Sequence, residues 1–318
     1  MSLVTNFEPI QSAKAEADLS ATLWARLRQE AEDALSRERA LAPIFVNSIL
    51  NRPAFEDAVI HRISARLGNE IVPTYVVNDM FDQAVAGDET IGAGFRADIV
   101  AVLDRDPACE RLIEPLLYFK GFHAIQTHRL AHWLWANGRR DFALYLQSRS
   151  SDVFQTDIHP AAVFGKGIFL DHATGFVVGA TSVIDDDVSI LQNVTLGGTG
   201  NETGDRHPKV RRGVMIGAGA KILGNIEIGS CSLVAAGSVV LHPVPPNTTM
   251  AGVPARAVGT AGCAEPSRSM NQILSQLAYD SFTYTNLKDG SSRLLRYPLN
   301  SNSYNASKAS QQQAHQAG

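Results

Sequence analysis

Cysteine is scarce in this chain. Cys109, Cys231 and Cys263 are the only three in 318 residues. They are widely spaced, odd in number and never paired as CxxC. That argues against a disulfide framework or a structural zinc site, and for a reducing, cytoplasmic setting. Positive charge is not in excess either. Lys and Arg number 28 against 32 Asp and Glu, a net charge of −4, so general binding to nucleic acid or another polyanion is not expected. No apolar run approaches the ~18–20 residues of a membrane span. The opening MSLVTNFEPI lacks the basic start and apolar core of a secretory signal. What is present is 45% hydrophobic and 19% charged residues, in a length suited to about two domains.

Up to about residue 155 the pattern is helical. Leu41, Ile44, Phe45 and Ile49 share one helical face, with Pro43 in a first turn. Phe55, Val59, Ile63 and Leu67 recur every fourth residue, and Gly68 stops the run. A third helix is predicted over 116–135, stopped near Gly138, and a short one over 142–146. Together they predict a helical bundle over 1–155. His128 and His132 lie four apart on the third helix. They lack a third ligand or an HExxH glutamate, so no metal site is expected.

From residue 156 the period changes to six. Ile158, Phe164, Leu170, Phe176, Val188 and Val194 form one series that only Ser182 interrupts. Val210, Ile216, Ile222, Ile228, Val234 and Val240 form a second. Small residues often stand four places later, as at Ala162, Ala220, Ser232 and Ser238. Six fits neither a helix nor a plain strand. It is the period of a parallel β-helix, in which three hexapeptides make one triangular coil and each coil buries its face on the next. The step from Val194 to Val210 reads as one hexapeptide plus a ten-residue loop, 200–209, extruded at a corner without disturbing the coil. Pro-rich turns near 243–256 close the coil's open edge. The predicted fold is therefore α+β and multidomain. An N-terminal α-helical bundle (1–155) precedes a left-handed parallel β-helix (156–262), and a polar, low-complexity, largely flexible tail (263–318) follows.

Four stretches resemble the bacterial serine O-acetyltransferases: "DVFQTDIHPAA" (152–162), "LDHATGFVVG" (170–179), "TLGGTG" with "DRHPK", and "GVPARAVG" (252–259). "LSRERALAPIFVNSIL" and "LLYFKGFHAIQTHRLAHWLW" look like that family's helical domain. The likeness spans about residues 20–262. It implies transfer of acetyl from acetyl-CoA to the L-serine hydroxyl, giving O-acetyl-L-serine for cysteine synthesis. It also implies inhibition by L-cysteine, and homotrimers joined as dimers of trimers with sites between neighbouring β-helices. Many members insert a C-terminal isoleucine into O-acetylserine sulfhydrylase. This chain ends Gln316-Ala317-Gly318, so the likeness carries that partner over only weakly.

A serine hydroxyl is a poor nucleophile at neutral pH and needs a positioned base, for which histidine is suited. By resemblance His172 is that base and Asp157 its orienting carboxylate. Arg206 matches a ligand for the substrate carboxylate, and Asp171 and Asp106 match contacts to its ammonium. His207 matches a second active-site histidine. Backbone around Gly198 would meet the oxyanion, and the pantetheine arm would lie along Gly198, Thr199, Ala218 and Ala236. Lys209, Arg211, Arg212, Lys221 and Arg256 are candidates for the CoA phosphates. Direct transfer is expected, without an acyl-enzyme or a metal. The alternative weighed is a hexapeptide-repeat acetyltransferase acting on another hydroxyl, such as a sugar's.

Overall fold

A computed structural model describes residues 13–272, with side chains from Ser20 onward. Of the tail predicted to be flexible, residues 263–272 are described and the rest lies outside the described residues. What is described of it is a short turn of helix, α9 (Pro266–Ser269).

The helical part comprises α1 (Ala13–Arg37), α2 (Ala42–Phe45), α3 (Phe55–Leu67), α4 (Thr74–Gly87), α5 (Glu89–Arg105), α6 (Ile113–Leu117), α7 (Lys120–Ala136) and α8 (Arg140–Phe154). Helix α3 buries the four residues that predict it, Phe55, Val59, Ile63 and Leu67. The run predicted over 116–135 is two helices. Phe119 takes an extended conformation between α6 and α7. The short helix predicted over 142–146 is the fifteen-residue α8. Leu41, placed on one helical face with Ile44, Phe45 and Ile49, is exposed. It belongs to a 3₁₀ turn (Arg39–Leu41), whose tighter pitch takes it off the line of Phe45 and Ile49. Helices α1, α4 and α5 have no counterpart in the pattern reading. In α5 the reason is local: Gly92 and Gly94 lower its helix propensity. Gly94 has a tertiary reason to be there, because a Cβ would lie 2.8 Å from the Arg129 guanidinium carbon.

The chain leaves α8 through Gln155, in the left-handed region at φ 62°. It then winds as a left-handed parallel β-helix. The first coil is β1 (Thr156–Ile158), β2 (Val163–Phe164) and β3 (Phe169–Leu170). The second is β4 (Phe176–Val178), β5 (Val183–Ile184) and β6 (Ser189–Ile190). The third is β7 (Thr195–Gly197), β8 (Lys209–Val210) and β9 (Met215–Ile216). The fourth is β10 (Lys221–Leu223), β11 (Glu227–Ile228) and β12 (Leu233–Val234). Then come β13 (Val239–Val240), β14 (Thr248–Gly252) and β15 (Ala255–Thr260), the last antiparallel to β14. Three sheets result: β1-β4-β7-β10-β13, β2-β5-β8-β11 and β3-β6-β9-β12-β14-β15. The antiparallel return covers one end of the third sheet, as the Pro-rich closing turns suggest.

The pairing register corrects the phase of the repeat. Ile158 pairs with Val178, twenty residues on rather than eighteen. Phe164 pairs with Ile184 and Leu170 with Ile190. The interior series is therefore Ile158, Phe164, Leu170, then Val178, Ile184, Ile190 and Leu196. The two extra residues fall in the turn at His172 and Ala173, both left-handed at φ 56° and 58°. Ser182, the exception in the expected series, stands four after Val178. That is the small corner position of the true phase, and it is buried. Ile184 pairs with Val210, so the excursion after Leu196 adds eight residues to a hexapeptide, not ten.

Helical part and coil pack into one compact unit, and polar side chains make the joint. Asp98 of α5 is fully buried. Its Oδ2 accepts from Arg129 Nη2 at 2.7 Å and Gln126 Nε2 at 2.9 Å, and its Oδ1 accepts from Ile168 N of the first coil at 2.9 Å. Arg129 also donates to Gly165 O at 2.7 Å. His128 and His132, the pair that could have suggested a metal, donate instead to the carbonyls of Ala162 (3.1 Å) and Pro160 (2.8 Å). Burial holds the His128 pKa well below the ordinary value, so its ring is neutral. At Gly121 any Cβ would collide with the carbonyl oxygen of Leu170, so α7 touches β3 backbone to backbone. Asp98→Ala should therefore strip an acceptor from Arg129, Gln126 and Ile168 together. Denaturant unfolding should register a loss of about 3–5 kcal/mol. A loss below about 1 kcal/mol would mean the joint is held elsewhere.

Candidate active site

A cleft of about 430 Å³ opens where the end of α5 and the start of α7 meet β3. Asp106, Asp171 and His172 all line it, with Lys120, Tyr118 and Phe169 among its walls. Asp106 caps the C-terminus of α5, and its Oδ1 accepts from Ala108 N at 2.9 Å. Asp171 and His172 sit in the turn that carries the two extra residues. The left-handed backbone there lifts the His172 ring off the coil, and its side chain is 72% exposed. His172 Nε2 lies 3.5 Å from Asp171 Oδ2. Burial raises the Asp171 pKa. His172 opposes the rise and Asp106 adds to it. Two carboxylates on one cleft favour a ligand carrying positive charge.

Asp157 is placed differently. It is exposed on β1, its backbone pairs with Val177, and its Oδ1 accepts from Gln147 Nε2 at 2.6 Å. The carboxylate nearest the His172 ring is that of Asp171.

Arg206 and His207 stand in the excursion between β7 and β8. His207 is buried. Thr181 donates to its Nδ1 through its backbone N–H at 3.2 Å. The Thr181 hydroxyl accepts from Arg206 N (3.0 Å) and His207 N (3.1 Å), which leaves its own proton for Nδ1 at 2.8 Å. Nδ1 is thus an acceptor, and the ring proton resides on Nε2. Burial first, then Arg206 and Lys209, lowers the His207 pKa, in keeping with a neutral ring. The ring occupies space that Gly179 leaves, where any Cβ would collide with it. Arg206 runs over Gly198, where a Cβ would meet its Cδ at 3.3 Å. Lys209 closes the loop, donating to Thr181 O (2.7 Å), Asp205 Oδ1 (2.6 Å) and His207 O (2.8 Å).

The two groups lie at different edges of the prism. The His172 turn joins the third sheet to the first, and the Arg206–His207 excursion joins the first sheet to the second. Within one chain they flank the first sheet, whose strands of two or three residues are about 10 Å long. Gly198 and Thr199 begin the excursion. Ala218 and Ala236 lie at the edge where the His172 turn stands, between β9 and β10 and between β12 and β13. Ala236 is exposed. Of the expected phosphate ligands, Arg211 pairs with Glu227 (2.5 Å), Arg212 with Asp187 (2.9 Å), and Lys221 donates to Asn193 O (2.5 Å). Arg256 donates to Ala255 O at 3.1 Å. No group of three His, Cys, Asp or Glu residues able to hold a metal occurs among the described residues.

Sequence reasoning missed Thr181, Gln147 and Lys120. Thr181 and Gln147 belong to no motif, and their roles arise from coil stacking and helix docking. Lys120 lines the cleft and bonds Thr174 Oγ1 and Gln155 Oε1. Its pKa is lowered, chiefly by burial.

Two family profiles match the chain. "Serine acetyltransferase, N-terminal" covers residues 23–127, and "Bacterial transferase hexapeptide (six repeats)" covers 207–242. A serine acetyltransferase of Salmonella typhimurium is 52% identical over 250 residues, 79% of this chain and 92% of that one. A serine acetyltransferase from Brucella abortus strain S19, solved with coenzyme A, is 56% identical with a TM-score of 0.77, covering 80% of this chain and 100% of that one. A serine acetyltransferase solved in complex with cysteine is 51% identical with a TM-score of 0.78, covering 80% and 99%.

Arg206 lies among the charges that depress the His207 pKa. Arg206→Gln should therefore raise it, read by NMR titration of the His207 imidazole. A pKa that stays put or falls would contradict this placement of the guanidinium.

Proposed function

This chain belongs to the serine acetyltransferase family, and from that premise we propose a mechanism for acetyl transfer from acetyl-CoA to the hydroxyl of L-serine. The observation that carries the reading is the cleft that Asp106, Asp171 and His172 line together, with Asp171 beside the His172 ring. Two carboxylates suit the ammonium of a zwitterionic substrate, and the imidazole beside them suits the proton of its hydroxyl. His172 takes that proton as the serine oxygen attacks the thioester carbonyl. The tetrahedral intermediate then collapses with loss of CoA thiolate, which receives the proton from the imidazolium. Transfer is direct, within a ternary complex.

Asp157 is the orienting carboxylate in this reading, exchanging its bond with Gln147 for one to the imidazole. Arg206 binds the substrate carboxylate. His207 acts as a donor: with Nδ1 occupied by Thr181, its Nε2–H is the atom left for a substrate oxygen. Backbone N–H at Gly198 meets the oxyanion, and the pantetheine arm follows Gly198, Thr199, Ala218 and Ala236. Such a site needs both edges of the first sheet at once. A homotrimer supplies this by setting the Arg206–His207 edge of one coil beside the His172 edge of the next. The helical domains would join two trimers. Like the relative solved with cysteine, this chain would accept L-cysteine, which differs from serine by sulfur for oxygen, as a feedback inhibitor. The enzyme would work in the cytoplasm.

A thiol-release assay with acetyl-CoA and L-serine, L-homoserine, a sugar panel or no acceptor tests the reaction. L-serine should give the dominant rate. Release with a sugar but not with serine would replace this reading by the sugar-acetylating alternative. His172→Ala should lower kcat by about 10²–10⁴-fold, with the oligomer intact by light scattering.

Separate variants assign the carboxylates. Asp157→Asn should lower kcat and leave the serine KM near its starting value. Asp171→Asn and Arg206→Ala should instead raise the serine KM. If Asp171→Asn lowered kcat while Asp157→Asn did not, Asp171, the carboxylate already beside the ring, would be the orienting group.

A further inference from the structure

One corner of the coil carries a stack of left-handed residues: Gly167, Asp187, Gly213, Cys231 and Asn247, one from each successive coil. Backbone bonds join neighbouring layers there. Cys231 N donates to Arg212 O at 2.9 Å, and Asn247 N to Ser230 O at 2.8 Å. After β15 the chain turns back and runs down this corner. Ala261 N donates to Asn247 O at 3.0 Å, and Ser267 N donates to Gly213 O at 3.3 Å. Those acceptors are two layers apart, about 10 Å. The layer between them is that of Cys231. The segment passing it contains Cys263, and both cysteines line one open cleft on this corner. Thirty-two residues apart in sequence, the two cysteines come to one cleft by the return of the chain, where Cys263 Sγ shares a hydrogen bond with Ser269 Oγ at 3.4 Å.

The segment continues into contacts that matter elsewhere. Arg268 pairs with Asp104 at 3.0 Å, and Ser189 Oγ donates to Ser267 O at 2.7 Å. Met270 packs against Val102, Cys109 and Phe169. Val102 and Phe169 are also walls of the cleft that holds Asp106, Asp171 and His172. The 261–270 strap therefore backs one wall of that cleft. The third cysteine is of another kind. Cys109 is buried, and burial, with Glu114 and Asp106, pushes its thiol up to about 12. Cys231 and Cys263 are only partly buried, and both are free thiols.

We propose that Cys231 and Cys263 form a redox-responsive dithiol, which a small disulfide oxidant closes to an intramolecular disulfide that pins the 261–270 strap to the coil. One thiolate attacks a sulfur of the oxidant, forming a mixed disulfide and releasing one thiolate. The second cysteine thiolate attacks the protein sulfur of that mixed disulfide and releases the other. The protein loses two protons and two electrons, and the oxidant becomes two thiols. In a reducing compartment such a bond is transient and reports oxidation rather than building the fold.

The test uses the full chain incubated with oxidised glutathione, alkylated, digested and analysed by mass spectrometry. A peptide pair linked through Cys231 and Cys263 should appear, while Cys231→Ser and Cys263→Ser each leave a glutathione adduct on the remaining thiol and no link. Adducts, cross-links between chains or unreacted thiols in the wild type, without the 231–263 link, would overturn the pairing. Hydrogen exchange reads the pinning: amides of 261–270 should slow by about tenfold in the oxidised protein. Unchanged exchange in the linked protein would overturn the strap's part.

Discussion

A single buried carboxylate organises the joint on which the cleft depends. Asp98 has two oxygens and four donors: two nitrogens of Arg129, the amide of Gln126 and the backbone N–H of Ile168. An isolated charge in that position would be costly. This one is paired, and both of its oxygens are hydrogen-bonded, which is the condition under which a buried ion pair is tolerated. Three of the donors come from one helix and the fourth from the coil, so satisfying the charge also docks the two. Gly94 gives the guanidinium its room, and Gly121 brings α7 against β3. The cleft with Asp106, Asp171 and His172 is bounded by the same α5, α7 and β3.

The coil itself is rigid because its inner strands find partners above and below, and rigidity limits what it can offer a substrate. The candidate site residues of the coil stand where the repeat is broken. The two-residue insertion at the third-to-first edge lifts His172 clear of the prism. The eight-residue insertion at the first-to-second edge carries Arg206 and His207. Both insertions occur at corners, where a loop can leave without displacing an interior side chain. The second is tied back by Lys209 and Thr181, which deny it the freedom usual in a polar loop. A pre-set tautomer at His207 follows from that tie, and it sets the two histidines apart: the His172 ring is exposed and the His207 ring is locked.

Much was legible in the residues alone. The change of period from four to six near residue 155 marks where helices give way to coil. The family resemblance pointed to His172, Asp106 and Asp171, which the fold brings to one cleft. The phase of the repeat was not legible. Phe176, Val188 and Val194 are buried like their true-phase neighbours Val178, Ile190 and Leu196, so an apolar count cannot tell the two series apart. Ser182 was the one visible sign. The tightly used α5 escaped pattern reading because its glycines serve a neighbour's side chain rather than its own helix.

Periodicity reports which way each side chain faces, a property local to a few residues. It therefore determined the architecture and the residue types available for chemistry. Hydrogen-bond partners across coils, the separation of two edges by a sheet, and the return of the chain past Cys231 depend on how many residues each turn adds. They depend equally on what docks against it. Those are sums over the whole fold, and only the tertiary structure decided them: Asp157 bonded to Gln147, His207 locked by Thr181, and two distant cysteines on one corner.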